Sequence, residues 1–332
     1  MNRLVGLIAF SLLFFSCGQS PKSKYNVELQ ALQAKADLVN RDFRKIRLEI
    51  DVIASQIEEL YKNQDSILLS INRSKYEFAN NGVFYKPVDD GGSAIFVSGF
   101  YPIDKEVQKI VFFTEPIDTP FVKLVSRYPE IVQVYYNDKN SINRIYPFFD
   151  VLSQYEARMD IPSFNFYYMA DAKHNPDHKS LWLSEPYVDP AGRGWMISAI
   201  SPVYFKGVLA GVAGIDVTIN LITQRYVLDN PKCMTMIVDN TGAIVTAQEN
   251  VINLLSFPPL FDHKYIETIK QDTYRKEVYN LRLSKTAEIR RVAVDLLEKH
   301  KSWMEAEING EKVTFLSVLI PELNWHLIDV IQ

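Results

Sequence analysis

The sequence predicts an α+β fold, in which one long N-terminal helix precedes two modules that are each built on an antiparallel sheet. Three observations predict it. A seam of apolar residues with alternating spacings of three and four runs from Leu29 to Leu60. Short apolar runs separated by Asn-, Gly- and Pro-containing turns then follow, the pattern of hairpins. The order strand, turn, strand, helix recurs, more weakly, in the last hundred or so residues. The 332 residues allow two modest domains with real cores. Apolar residues at 47% and charged residues at 23% exclude wholesale disorder and a polytopic membrane protein. A net charge of −4 supplies no global field for nucleic acid.

The first element is a leader. Arg3 precedes the apolar run Leu4–Phe15, which is too short to span a bilayer core of ~30 Å. Phe14-Phe15-Ser16-Cys17 ends that run with a small residue before a cysteine. This resembles a bacterial lipoprotein signal, which implies removal of residues 1–16, a lipid on Cys17 and a lipidated tether over 17–24. The protein is then expected in the cell envelope, held to a membrane by its N-terminal lipid. A plain secretory signal with an unrelated cysteine is the alternative. Cys233, the other cysteine, then lacks an intramolecular disulfide partner and reads as a small buried hydrophobe.

The second element is a helix over 25–80. Leu29, Leu32, Ala36, Val39, Phe43, Ile46, Ile50, Ile53, Ile57 and Leu60 form its seam, Ile67 and Ile71 resume it, and no Gly or Pro interrupts Tyr25–Asn80. Such a helix is a dimerising stalk or a spine for the globular part. Leu38, Leu48, Val52 and Leu68 widen the stripe and favour a spine contacted on a second side. Asn80-Asn81-Gly82 supplies the stop.

A first module follows over 81–225. Ala94–Ser98 and Val107–Thr114 are apolar runs, and Pro120–Tyr128 reads as a short helix. Ile131–Tyr136 is a strand, Asn137–Asn140 a turn, and Arg144–Pro147 opens the return strand. Tyr167–Ala172 is a short helical stretch. Trp195–Val203 and Val208–Val217 pair across Lys206-Gly207, and Asn220–Val227 is a helix leading out. The second module, 226–332, has strands at Met234–Val238 and Ala243–Thr246, helical segments within 262–302, and closing strands at Met304–Ile308, Val313–Leu319 and Trp325–Ile331.

Within residues 182–219 three elements occur in order: Trp182-Leu-Ser-Glu-Pro186-Tyr187-Val-Asp189, then Ser201-Pro202-Val203-Tyr204, then Gly211-Val-Ala-Gly214-Ile-Asp216. In that order they resemble the Cache domain, the extracytoplasmic sensor module of bacterial chemoreceptors and histidine kinases. With the long helix and the second PAS-like unit, residues 25–332 are similar to the double Cache plan. The resemblance implies a membrane-distal first module that holds a small-molecule ligand, a membrane-proximal second module, and no catalytic machinery.

The residues carry their own chemistry. Gly211 and Gly214 let another group approach the backbone closely. Asp216 ends an apolar strand, where an unpaired carboxylate is costly, so it needs a cation, a ligand amine or protein N–H groups; capping the helix near Asn220 is the structural alternative. Tyr187, Tyr167 and Phe166 can wall a stacking or cation–π pocket, or simply pack. Amino-acid-binding Cache domains carry a finer pattern, Tyr before Arg-x-Trp-Tyr, then the Pro-Tyr tyrosine and the Gly-Ile-Asp aspartate. Tyr167, Tyr187 and Asp216 match its last elements and are implied to face a ligand's amino group. Its Arg falls on Phe164 and its Trp on Phe166. Phe164 cannot make a bidentate carboxylate contact, so unless Arg144 or Arg158 substitutes, a zwitterionic amino acid is disfavoured and a small organic amine is expected.

His174 and His178 have metal-like spacing, but Pro176 lies between them and no metal site is expected. No Gly-x-Ser-x-Gly, His-Glu-x-x-His or phosphate-cradling loop occurs, and neither enzyme activity nor a cofactor is expected. The expected function is a lipid-anchored extracytoplasmic ligand-binding sensor that signals as a homodimer or through a separate membrane protein. The alternative is a scaffold lipoprotein that dimerises through its stalk helix.

Overall fold

The computed structural model describes residues 24–189, 192–229, 234–257 and 279–332. The leader, Cys17 and its tether up to residue 23, and Cys233 lie outside them. Helix α1 spans Asn26–Lys62, about 55 Å at ~1.5 Å per residue. Leu32, Ala36, Val39, Phe43, Ile46, Ile50, Ile53 and Ile57 are all buried along it, so the apolar seam is one continuous packing face.

The helix does not run to Asn80 as expected. Asn63 closes it, with its side-chain amide and its backbone N–H both donating to the Glu59 carbonyl. Ile71, which continues the spacing, packs in a different core with Val107, Phe112 and Ile142. Of the residues that widen the stripe, Leu38, Leu48 and Val52 stay exposed, whereas Leu68 packs against both the α1 core and the core of Val107 and Phe112.

Two antiparallel sheets lie along α1. The first contains β1 (Glu77–Phe78), β2 (Phe84–Tyr85), β3 (Ala94–Val97), β4 (Gln133–Asp138), β5 (Ile142–Tyr146), β6 (Leu181–Val188), β7 (Trp195–Phe205) and β8 (Val208–Thr218), in the order β1-β2-β3-β5-β4-β8-β7-β6. The second contains β9 (Met234–Asp239), β10 (Ile244–Ala247), β11 (Trp303–Ile308), β12 (Glu311–Ile320) and β13 (Trp325–Ile331), in the order β10-β9-β13-β12-β11. A single core joins α1 to both, through Val134, Tyr136, Ile197 and Ile215 of the first sheet and Leu316, Ile320, Trp325 and Leu327 of the second. α1 is therefore a spine within this chain.

Strand alternation sends the intervening residues to the outer faces. Phe315, Ile328 and Met236 pack under the helices Glu249–Leu254 and Ala287–Ala293 in a filled core. On the first sheet, Tyr135, Ile145, Ile200 and Val212 meet a covering segment that carries Ile161, Phe166 and Tyr167.

Two segments gain a definite structure. Val107–Thr114 belongs to a helix, Lys105–Phe113, because Asp104 caps the Glu106 and Val107 N–H groups at 2.9 Å and Val107 and Val111 face the core one turn apart. Of the helical segment expected over 262–302, the described part is the short turn Leu281–Leu283 and the helix Ala287–Ala293, which continues as a wider turn to Glu298; residues 262–278 lie outside the described residues. β6 is an additional strand with no counterpart in the sequence reading. Among the described residues no helix is long and apolar enough to cross a membrane.

Candidate ligand-binding site

The outer face of the first sheet carries a small cavity. On β4, Gln133, Tyr135 and Asn137 point to it, while Val134 and Tyr136 point to α1. On β5, Asn143 and Ile145 face it; from the covering segment Tyr155, Met159, Ile161 and Phe166 close it; Tyr187, Asp189 and Asp216 complete the lining. Gly214 of β8 lies opposite Tyr135, and a Cβ there would sit 2.0 Å from the tyrosine ring. The close approach expected at this glycine is that of its own cross-strand neighbour. Gly214→Ala is expected to displace the Tyr135 ring and cost about 1–3 kcal/mol, read as a lower urea midpoint.

Asp216 stands at the centre. It is 1% exposed, and its strand places it directly opposite Gln133 on β4 and Ser198 on β7. Both side chains donate to its carboxylate. The Tyr187 hydroxyl lies 2.6 Å from Ser198 Oγ and donates to Asp216 Oδ1 at 3.4 Å. Asp216 does not cap the following helix; Thr218 does, accepting from Leu221 N–H. Burial pushes the Asp216 carboxyl up to about 7, the Asp189 charge pushes the same way, and the Ser198 and Gln133 hydrogen bonds and the Arg193 charge oppose it. Burial also holds the Tyr135 and Tyr187 phenols well above their usual range, so they are neutral. Two polar atoms of the lining, Gln133 Oε1 and Tyr135 Oη, are buried without a hydrogen-bond partner.

The lining contains two carboxylates and no Lys, Arg or His. Arg144 cannot substitute for the missing arginine, because alternation on β5 turns it to the opposite face. There it is fully buried, bonded to Asp118 at 2.7 Å, the Val111 carbonyl at 2.6 Å and Thr114. Arg158 is exposed. Arg193 donates to the Val132 carbonyl at 2.6 Å.

Of the residues singled out from sequence, Tyr187, Asp216 and Phe166 meet in the lining. Phe164 stacks on Phe166 at 5.1 Å from outside it. Tyr167 is buried in the same apolar cluster without lining the cavity, and the acidic charge acting on its phenol is that of Asp138. Gln133, Tyr135, Asn137, Asn143, Tyr155 and Ser198 were not singled out, and Asp189 was named only as the last residue of the Pro-Tyr element. The alternation of Gln133 and Asn137 with apolar neighbours, within an otherwise apolar strand, was the available signal. The cavity has a volume of about 30 Å³, room for a water or so. Any organic ligand therefore has to displace part of the lining.

No protein-family model matches the chain, and no curated protein matches it by sequence. Solved structures do. The ligand-binding domain of the Pseudomonas aeruginosa PAO1 amino acid chemoreceptor PctB, in complex with L-Arg, matches at a TM-score of 0.51 and 13% identity over 92% of this chain and 94% of that one. The ligand-binding domain of the Pseudomonas fluorescens chemoreceptor CtaA, in complex with L-alanine, matches at 0.54 and 14% over 92% and 96%. An extracellular domain described as that of a histidine kinase, mmHK1S-Z3, matches at 0.51 and 12% over 92% and 93%. All three are ligand-binding or extracellular domains by their descriptions, and this chain shares their fold, a long helix followed by two antiparallel-sheet modules.

Proposed function

We propose that the protein is an extracytoplasmic sensor whose first module, residues 81–225, takes a small cationic organic ligand, an amine, on the Asp216 carboxylate. The observation that carries the reading is a buried cavity lined by Asp216 and Asp189 and by no basic side chain. An ammonium would replace desolvation of the carboxylate with a charge-assisted hydrogen bond, and Tyr187 and Phe166 would cover its apolar part. A ligand carboxylate, by contrast, would meet two acids without an arginine fork. In the same proposal Cys17 carries the lipid, residues 226–332 form the membrane-proximal module, and a homodimer or a separate membrane protein receives the signal. Cys17→Ser would then move the protein from the membrane to the soluble fraction.

A thermal-shift panel of amines, amino acids, purines and carboxylates, run on the wild type and on Asp216→Ala, tests the ligand class. Amines are expected to raise the Tm of the wild type alone. Amino acids that stabilise the wild type while amines do not would overturn it. The small cavity favours one other reading, a scaffold without a ligand. No shift from any class, with Asp216→Ala as stable as the wild type, would support that reading.

A further inference from the structure

We propose that β6 is a mechanical link that carries the state of the first-module cavity to the second module. One end of this strand bears Tyr187, which lines the cavity. Three residues earlier the Ser184 carbonyl accepts a 3.0 Å hydrogen bond from the indole N–H of Trp325, the first residue of β13. Trp325 is fully buried, and β13 is the central strand of the second sheet.

Just before β6, Ser180 accepts from Arg47 of α1 at 3.1 Å and donates to Asp51 at 2.9 Å. Arg47 also holds Glu322, in the turn before β13, and the Glu322 N–H donates to Asn40 at 2.7 Å. The strand is thus tied at one end to the cavity and at the other to α1 and the β12–β13 turn.

The geometry makes β6 the strand that yields. A cavity of about 30 Å³ cannot admit an organic molecule without moving a wall. β4, β8 and β7 are held by neighbours on both sides, whereas β6 is the sheet edge, paired only to β7. Its register shifts between Leu183 and Tyr187, so the segment that carries Ser184 lacks regular pairing. An outward step of Tyr187 moves Ser184 and strains or breaks its bond to Trp325. The inference stands on packing and goes beyond the amine reading, so failure of amines to bind would leave it unaffected.

Hydrogen exchange on the full-length protein tests it, with Ile145→Trp overfilling the cavity from β5, across the cavity from β6. Amides over 184–187 and over 320–326 are both expected to exchange about fivefold faster or more. Trp325→Phe, which keeps a large ring but removes the N–H, is expected to abolish the response of Ile145→Trp at 320–326 while leaving that at 184–187. If Ile145→Trp does not fold, Ile145→Phe is read in the same way. A response confined to the first module, or one at 320–326 of the same size with Trp325→Phe, would overturn the link.

Discussion

Asp216→Asn is expected to weaken the binding of a cationic ligand by about a hundredfold, because removing one partner of a buried charge pair costs about 2–5 kcal/mol. The amide keeps the size of the side chain and a hydrogen-bond acceptor but not the charge, so calorimetric titration isolates the electrostatic contribution. The same substitution changes the pH dependence of stability with a definite sign. The folded carboxyl titrates at about 7, above its ordinary 3.8, so the native state holds this proton more tightly than the unfolded chain. Its contribution to stability is greatest below the unfolded value and is lost as pH rises through that window. Asp216→Asn removes this loss, and its stability relative to wild type is expected to be greater at pH 8 than at pH 4. A relative stability that is the same at both pH values would mean that Asp216 is not a strained carboxylate.

Arg144→Ala is expected to be the most damaging substitution in the first module. The guanidinium is fully buried, with partners in Asp118, the Val111 carbonyl and Thr114. Its removal leaves the Asp118 charge and the Val111 carbonyl without it, at a cost of about 3–5 kcal/mol in a denaturant titration. Because Arg144 faces away from the cavity, the protein that remains folded should keep its ligand preference. A change in preference toward or away from carboxylates, with stability intact, would place Arg144 in the site.

The spine and most of the strands were legible because one rule governs each. The three-and-four spacing of α1 and the hairpin turns at Lys206-Gly207 and Asn309-Gly310 are local signals. The end of α1 was not legible, since Ile67 and Ile71 keep the spacing, Ile67 still packing on the α1 core and Ile71 on another, and no Gly or Pro marks the break at Asn63. β6 was hidden because its irregular register around Glu185-Pro186 disrupts a period of two.

For the site, Asp216, Tyr187 and Phe166 stood out as residues, but the polar trio was not visible. Gln133 meets Asp216 from a strand far away in sequence, and although Ser198 lies on the hairpin partner of Asp216, the register shift between Val203 and Tyr204 decides which residues face each other. The same limit applies to Arg144, whose side of the sheet follows from the register of β5 and not from its residue type.

The most direct test of the central claim is the affinity of the wild-type protein for an amine as a function of pH. An aliphatic amine stays protonated from pH 6 to 8, so only the protein's own groups change. With its carboxyl near 7, Asp216 passes from about one-tenth to about nine-tenths ionised over that interval. Calorimetry should therefore find binding close to tenfold tighter at pH 8 than at pH 6, with no such change in any residual binding by Asp216→Asn. An affinity that is flat or falls with rising pH would contradict a cation on the Asp216 carboxylate.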